Sequence, residues 1–245
     1  MTPDLGLLRL AHVALISADP AALAAHYVAD VGDGPDGVRR LTTDAHHHCL
    51  EIHRGAAPGL DHIAFEVRDA AAAGAALDAA GAVAVRTDDA VGYDRAVAFD
   101  DPEGNTIKLV SGAHAGDAIA PGDRTFRPSK VGHVGVRAQD PAAQARFFTE
   151  TIGFRLSDWI GEQVVFLRCN PDHHAPSRNY FMYFDDADGN RIEWVNSIKQ
   201  IADDGSYVPE VYDPAQPTTW NVWGVMPPPH FLKRIGPGEP AAAGA

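Results

Sequence analysis

A chain of 245 residues, 45% hydrophobic and 22% charged, can build one large domain or two modest ones. Its net charge of −13 repels phosphate backbones, and no Lys/Arg cluster stands against it, so nucleic acid is not expected as a partner. No apolar run nears the roughly 20 residues of a membrane span, the opening MTPDLGLLRL lacks a signal-peptide pattern, and Cys49 and Cys169 make no disulfide framework. A cytoplasmic protein without membrane contact is the expectation.

In chain order, alternating or short apolar runs predict strands at 9–16, 48–53, 61–67, 95–99 and 105–110, then at 131–137, 163–168, 179–184 and 190–195. Helices are predicted at 20–30, 69–81 and 141–152. Asp19-Pro20 and Asp140-Pro141 open two of these, with Asp as the cap and Pro at the first helical position. Asp69 is the expected cap of the third. Residues 113–129, rich in Gly, Pro, Ala and Asp, form the predicted linker. The Pro-rich stretch to 229 reads as an extended arm. Residues 230–245, ending GPGEPAAAGA, read as a disordered tail.

The chain is internally repeated. AHVALISADPAALAAHYVADVG (11–32) matches GHVGVRAQDPAAQARFFTETIG (132–153), and FDDPEGNTIKLV (99–110) matches FDDADGNRIEWV (184–195). His12 corresponds to His133, and Lys108 to Glu193. Yet 96 residues separate His12 from Lys108, and only 60 separate His133 from Glu193. The difference falls on LDHIAFEVRDAAAAGAALDAAGAVAV (60–85), which has no second copy. The expected fold class is therefore α+β: two tandem domains of paired βαβββ modules, residues 1–112 and 130–229, the second lacking part of its last module.

Chemically informative residues cluster in the second copy. His133 and Glu193 can face the same concavity and hold a metal through an imidazole and a carboxylate; the alternative is a half-buried His beside a solvent-facing Glu. The pair His173-His174 offers a general acid–base near neutrality, or simply a polar turn. Tyr183 can donate to a metal-bound oxygen, or pack as a half-buried sheet aromatic. In the first copy Lys108 has no lone pair to give a cation, so that half is expected to be metal-free. His46, His47, His48 and His53 read as a solvated turn and strand edge.

Four segments resemble the vicinal oxygen chelate superfamily, in particular its type I extradiol ring-cleaving dioxygenases of the catechol 2,3-dioxygenase kind. They are VGHVGVRAQDPAAQARFFTETIGFRLSDWIG, VVFLRCNPDHH, NYFMYFDDADGNRIEW and DDGSYVPEVYDPAQPTTWNVWG. The resemblance implies a glyoxalase-like fold, a non-catalytic first domain and an iron-binding second one. It implies Fe(II) on His133 and Glu193, His174 as acid–base and Tyr183 as the active-site tyrosine. The family's middle His ligand sits on the missing segment, so His173 or His174 would have to move in. Substrates would be a small aromatic diol and dioxygen, and a bared sheet edge favours a homo-oligomer. The alternative is a non-catalytic small-molecule binding protein of the same superfamily.

Overall fold

The computed structural model describes residues 4–27, 32–34, 36–116, 129–173, 180–196, 198–201, 205–220 and 226–229. The expected linker and tail fall mostly outside these. Two compact units are formed. One holds Pro3–Val134 together with Met182–Trp194; the other holds Gly135–Phe181 and Val195–Ala245, with the first two residues. The expected second domain, 130–229, is thus divided: its opening residues and its closing hairpin belong with the first half.

The larger unit is built on one eight-stranded sheet. Its first module runs β1 (Leu7–Ser17), α1 (Pro20–Ala24), β2 (Gly32–Asp33), β3 (Arg39–Leu41) and β4 (Leu50–Arg54). The second runs β5 (Gly59–Val67), α2 (Ala70–Ala79), β6 (Arg86–Asp88), β7 (Tyr93–Asp100) and β8 (Thr106–Ala113). The strand order β2-β3-β4-β1-β5-β8-β7-β6 is symmetric. In each module the first strand pairs in parallel with the last, and the modules join where β1 and β5 run antiparallel. This is the predicted pair of βαβββ units, and the fold class is α+β as expected.

Local chemistry explains the helices. Asp19 accepts from Ala22 N, Asp69 from Ala71 N and Ala72 N, and Asp140 from Ala143 N. Along α2 the buried residues Ala70, Ala73, Gly74 and Leu77 make the inward stripe of an amphipathic helix. Gly74 admits Val97 so closely that a Cβ there would lie 3.1 Å from its Cγ1. Phe99, Ile107, Leu109 and Leu77 are fully buried, and each such side chain contributes about 1.5–3 kcal/mol. Helix α1 is shorter than the predicted 20–30.

In the smaller unit α3 (Pro141–Arg146) passes into a π-helical turn, Phe147–Ile152, which Gly153 ends at φ 91°. Strands β9 (Arg155–Ile160), β10 (Val164–Arg168) and β15 (Glu210–Tyr212) form a sheet ordered β10-β9-β15. A two-stranded pair joins β11 (Asp172–His173) to β14 (Lys199–Gln200). The hairpin is β12 (Tyr180–Asp185) with β13 (Arg191–Asn196), and the arm ends in α4 (Pro217–Trp220).

The strand predicted at 131–137 does not form. Its counterpart β1 is held by β4 on one side and β5 on the other, and the second copy has no segment equivalent to β5. A strand without ladder partners leaves its backbone groups unpaired. Val131 and Val134 instead pack against the core of Val13, Leu23, Leu41, Leu50 and Ile52.

The repeat is exact at the level of hydrogen bonds. Asp101 Oδ1 accepts from the N–H groups of Glu103 and Asn105, and its Oδ2 accepts from Asn105 Nδ2. Asp186 does the same with Asp188 and Asn190. Gly104 and Gly189 close these turns at φ 83° and 79°, where a Cβ would be strained.

Candidate functional site

His133 and Glu193 meet. Their Nε2 and Oε2 atoms are 3.0 Å apart, with the Glu193 side chain buried and His133 half-exposed. Tyr183, on the neighbouring hairpin strand, hydrogen-bonds Glu193. Burial, then the Glu193 charge, pushes its phenol well above the ordinary value, so it stays a donor at neutral pH. The Arg191 guanidinium lies 5.8 Å from the Tyr183 ring centroid. Phe184 and Trp194 pack edge-to-face behind them at 4.9 Å. Tyr27 OH donates to Asp186 Oδ2 at 3.0 Å, tying the hairpin turn to the first half.

His173 has other partners. It is buried in the smaller unit, where its Nε2 lies 3.1 Å from Asp158 Oδ2 and also meets Tyr207 OH. Asp158 accepts in addition from Tyr207 OH and Glu210 N. Ligation by His173 would mean giving up a buried, hydrogen-bonded contact. His174 lies outside the described residues.

The densest set of metal-binding side chains among the described residues is in the first half. The reading of His48 as part of a solvated turn is corrected here. His48 is fully buried, not solvated, and Glu51, passed over in the sequence, supplies a carboxylate. Sheet register assembles the set. Glu51 pairs with Ala14, and Ala14 with His62, so all three side chains share one face. One step along, His12 pairs with Ala64, and Ala64 with Lys108. Residues two apart in a strand point the same way, so His12, Glu51, His53, His62 and Lys108 line a single face. Ala14 and Ala64, both fully buried, leave room between them for the rings. The signal in the sequence was the alternation Leu50-Glu51-Ile52-His53, whose polar residues fall on the His12 face only once β4 is known to lie beside β1.

His12 Nε2 and His62 Nε2 are 2.9 Å apart. Glu51 Oε2 lies 3.8 Å from His62 Nε2 and 3.2 Å from His53 Nε2. Glu51 Oε1 lies 2.8 Å from Arg40 Nε and 3.3 Å from His48 Nε2. Lys108 is turned aside, its Nζ 3.1 Å from Asp88 Oδ2 and 3.3 Å from the Asp89 carbonyl.

Burial pushes the His12 imidazole well below its usual pKa, and the neighbouring His48 adds to this. Burial likewise brings His48 down to about 4 and lowers His62, although the Asp61 hydrogen bond pulls His62 the other way. Burial alone would raise Glu51, but the His53 hydrogen bond and nearby positive groups, Arg40 among them, hold it far below the usual carboxylate range. Burial thus favours the neutral form of His12, His48 and His62 beside an ionised Glu51, while the hydrogen bond to Glu51 raises the His53 imidazole.

Residues 10–109 match the family model of the Glyoxalase/Bleomycin resistance protein/Dioxygenase superfamily. An iron-dependent extradiol dioxygenase of Rhodococcus jostii is 31% identical over 100 residues. That match covers 34% of this chain and 33% of the relative, so it spans about a third of the relative's length. Homoprotocatechuate 2,3-dioxygenase from Arthrobacter globiformis superposes with a TM-score of 0.80 at 16% identity, covering 96% of this chain and 93% of that one. A Mn(II)-bound glyoxalase from Novosphingobium aromaticivorans superposes with a TM-score of 0.76 at 21% identity, covering 95% and 96%. These two likenesses establish the fold. No helix among the described residues is long and apolar enough to cross a membrane.

Proposed function

We propose, on the premise that the chain belongs through residues 10–109 to the Glyoxalase/Bleomycin resistance protein/Dioxygenase superfamily, that it is an Fe(II)-dependent extradiol dioxygenase acting on a small catecholic aromatic. The observation that carries this reading is the meeting of His133 with Glu193. An imidazole and a carboxylate are two of the three donors of a facial Fe(II) site, so the donor chemistry fits. His174 remains the proposed acid–base.

Bound Fe(II) would bring the diol and dioxygen together and pass charge between them. The ring carbon–carbon bond beside the hydroxyls breaks, both atoms of dioxygen enter the product, and no further reductant is consumed. The protein's part is positional. His133 and Glu193 would hold the ion. Tyr183, kept protonated, donates to the Glu193 carboxylate and braces it, and would turn that one O–H to a substrate oxygen only by releasing Glu193. His174 would take the diol proton and return it after cleavage.

The exposed run Tyr180, Phe181, Met182 and Tyr183 supports self-association, which light scattering would read. The test of the enzyme reading is anaerobic loading with Fe(II), then addition of catechol and oxygen. A yellow ring-cleavage product that is lost in Glu193→Ala is expected. If the loaded protein cleaves no catechol, the reading fails, and a small-molecule binding protein of the same superfamily takes its place.

A further inference from the structure

We propose that the cavity bounded by α3, β9, β10 and the arm, wholly within the smaller unit, binds a small aromatic carboxylate. None of His133, Glu193 and Tyr183 lines it, and the proposal does not depend on the ring-cleavage reading.

The cavity measures about 540 Å³, within the range of small-molecule sites. Helical spacing makes one wall. Ala142, Ala145 and Arg146 fall at i, i+3 and i+4 and share one face of α3. Ala142 and Ala145 are too small to fill the space that this face borders. A bulge makes another wall. The register of β9 on β10 slips between Phe166 and Leu167 and leaves Ser157 without a partner across the ladder. The slip lets Leu156 and Trp159, three residues apart, both reach the cavity, which the two-residue period of an unbroken strand would prevent. Phe154 and Tyr207 add two more flat apolar faces.

The charges on these walls have one sign. Arg146, Arg155 and Arg168 line the cavity, and among the described residues no aspartate or glutamate does. On a chain with 33 acidic and 20 basic residues this is a local reversal of charge, and it favours an anion. Arg168 is built in. It is 5% exposed, its Nη1 donates to the Leu156 carbonyl at 2.7 Å and lies 3.2 Å from Ser157 Oγ, and its Cζ stands 4.9 Å from the centroid of the Tyr207 ring. Tyr207 is fixed in turn, its hydroxyl donating to Asp158 Oδ1 at 2.9 Å. Asp158 is engaged by Tyr207, by the Glu210 amide and by His173. The matched helix of the first copy carries Ala25 at the place of Arg146, so the fold of the helix does not require that cation. Guanidinium groups meet a carboxylate as planar forks, and aromatic walls take a ring by stacking or edge contact. A ring that bears a carboxylate answers both.

The experiment titrates 2-naphthoate into the full-length protein by calorimetry, with the neutral 2-naphthalenemethanol as control. Saturable binding of the acid is expected. The alcohol, and the acid on Arg146→Glu, should each bind at least about 10-fold more weakly, the worth of one charge-assisted hydrogen bond. Ala142→Trp fills the cavity and should abolish binding. Absence of saturable binding by the wild type overturns the site, as does undiminished binding by either folded variant, or an alcohol that binds as tightly as the acid. Should a variant not fold, wild type labelled with 15N-arginine decides. The Arg168 Nε signal should shift as 2-naphthoate is added; a titration that leaves it in place overturns the site. Every readout is taken without iron, so a protein that cleaves no catechol leaves them unchanged and the two proposals fail separately.

Discussion

Glu51 and His62 stand on either side of Ala14 in three adjacent strands, with carboxylate and imidazole 3.8 Å apart on one buried face. Ala14 sets that geometry by being small. Replacing it with Leu should force the two side chains apart, or strain the sheet, at a cost of about 1–3 kcal/mol. Urea unfolding measures the loss. A neutral Ala14→Leu would mean that the face has slack the packing does not suggest.

Arg40 is buried between Asp36 and Glu51, at 2.6 and 2.8 Å. Removing one partner from a buried ion pair leaves an unpaired charge, at about 3–5 kcal/mol. Arg40→Met should destabilise by that order. Asp36→Asn, on the exposed side of the same cation, should cost under about 1 kcal/mol. The ranking is the prediction, and matched denaturation curves decide it.

Tyr27 links the first half to the turn of the hairpin through Asp186. Tyr27→Phe should cost about 1 kcal/mol and speed amide exchange in residues 182–194. Asp186→Ala removes the turn bonds as well and should cost more. Equal protection in wild type and Tyr27→Phe would show that the hairpin is held by its aromatic contacts alone.

Asp158 gives a pH dependence with a definite sign. Burial would raise its pKa, but hydrogen bonds from His173, the Glu210 amide and Tyr207 outweigh it and hold the value below the ordinary range. A carboxyl whose folded value is depressed adds stability above its unfolded value near about 3.9, and that stability is lost as pH falls through the folded value. Thermal unfolding scanned downward from pH 5 should show this loss, and Asp158→Asn should flatten it. An unchanged slope in the variant removes Asp158 from the account.

Much was legible in the sequence because it rests on local rules. The Asp-Pro caps, the Ala-rich helix stripe and the Asp-x-x-Gly-Asn turns each depend on a few adjacent residues, and the structure bears them out. The order of predicted elements in the first half also foretold its pair of βαβββ modules. The repeat matched His133 to Glu193 because both copies place those positions on opening and closing segments.

What the sequence did not contain was which strand lies beside which. His48 and His53 look like a polar run until β4 is paired with β1, and Glu51 has no meaning until Ala14 sets it opposite His62. Lys108 was read by its charge alone, and its partner Asp88, at the end of β6, is fixed only by the pairing of β6, β7 and β8. The 131–137 run kept its strand pattern but lost its strand, because hydrogen-bond ladders need neighbours and the segment that would have supplied one is absent. Local propensity and repeats belong to the chain alone; donors from three strands converge only when register and burial bring distant residues together.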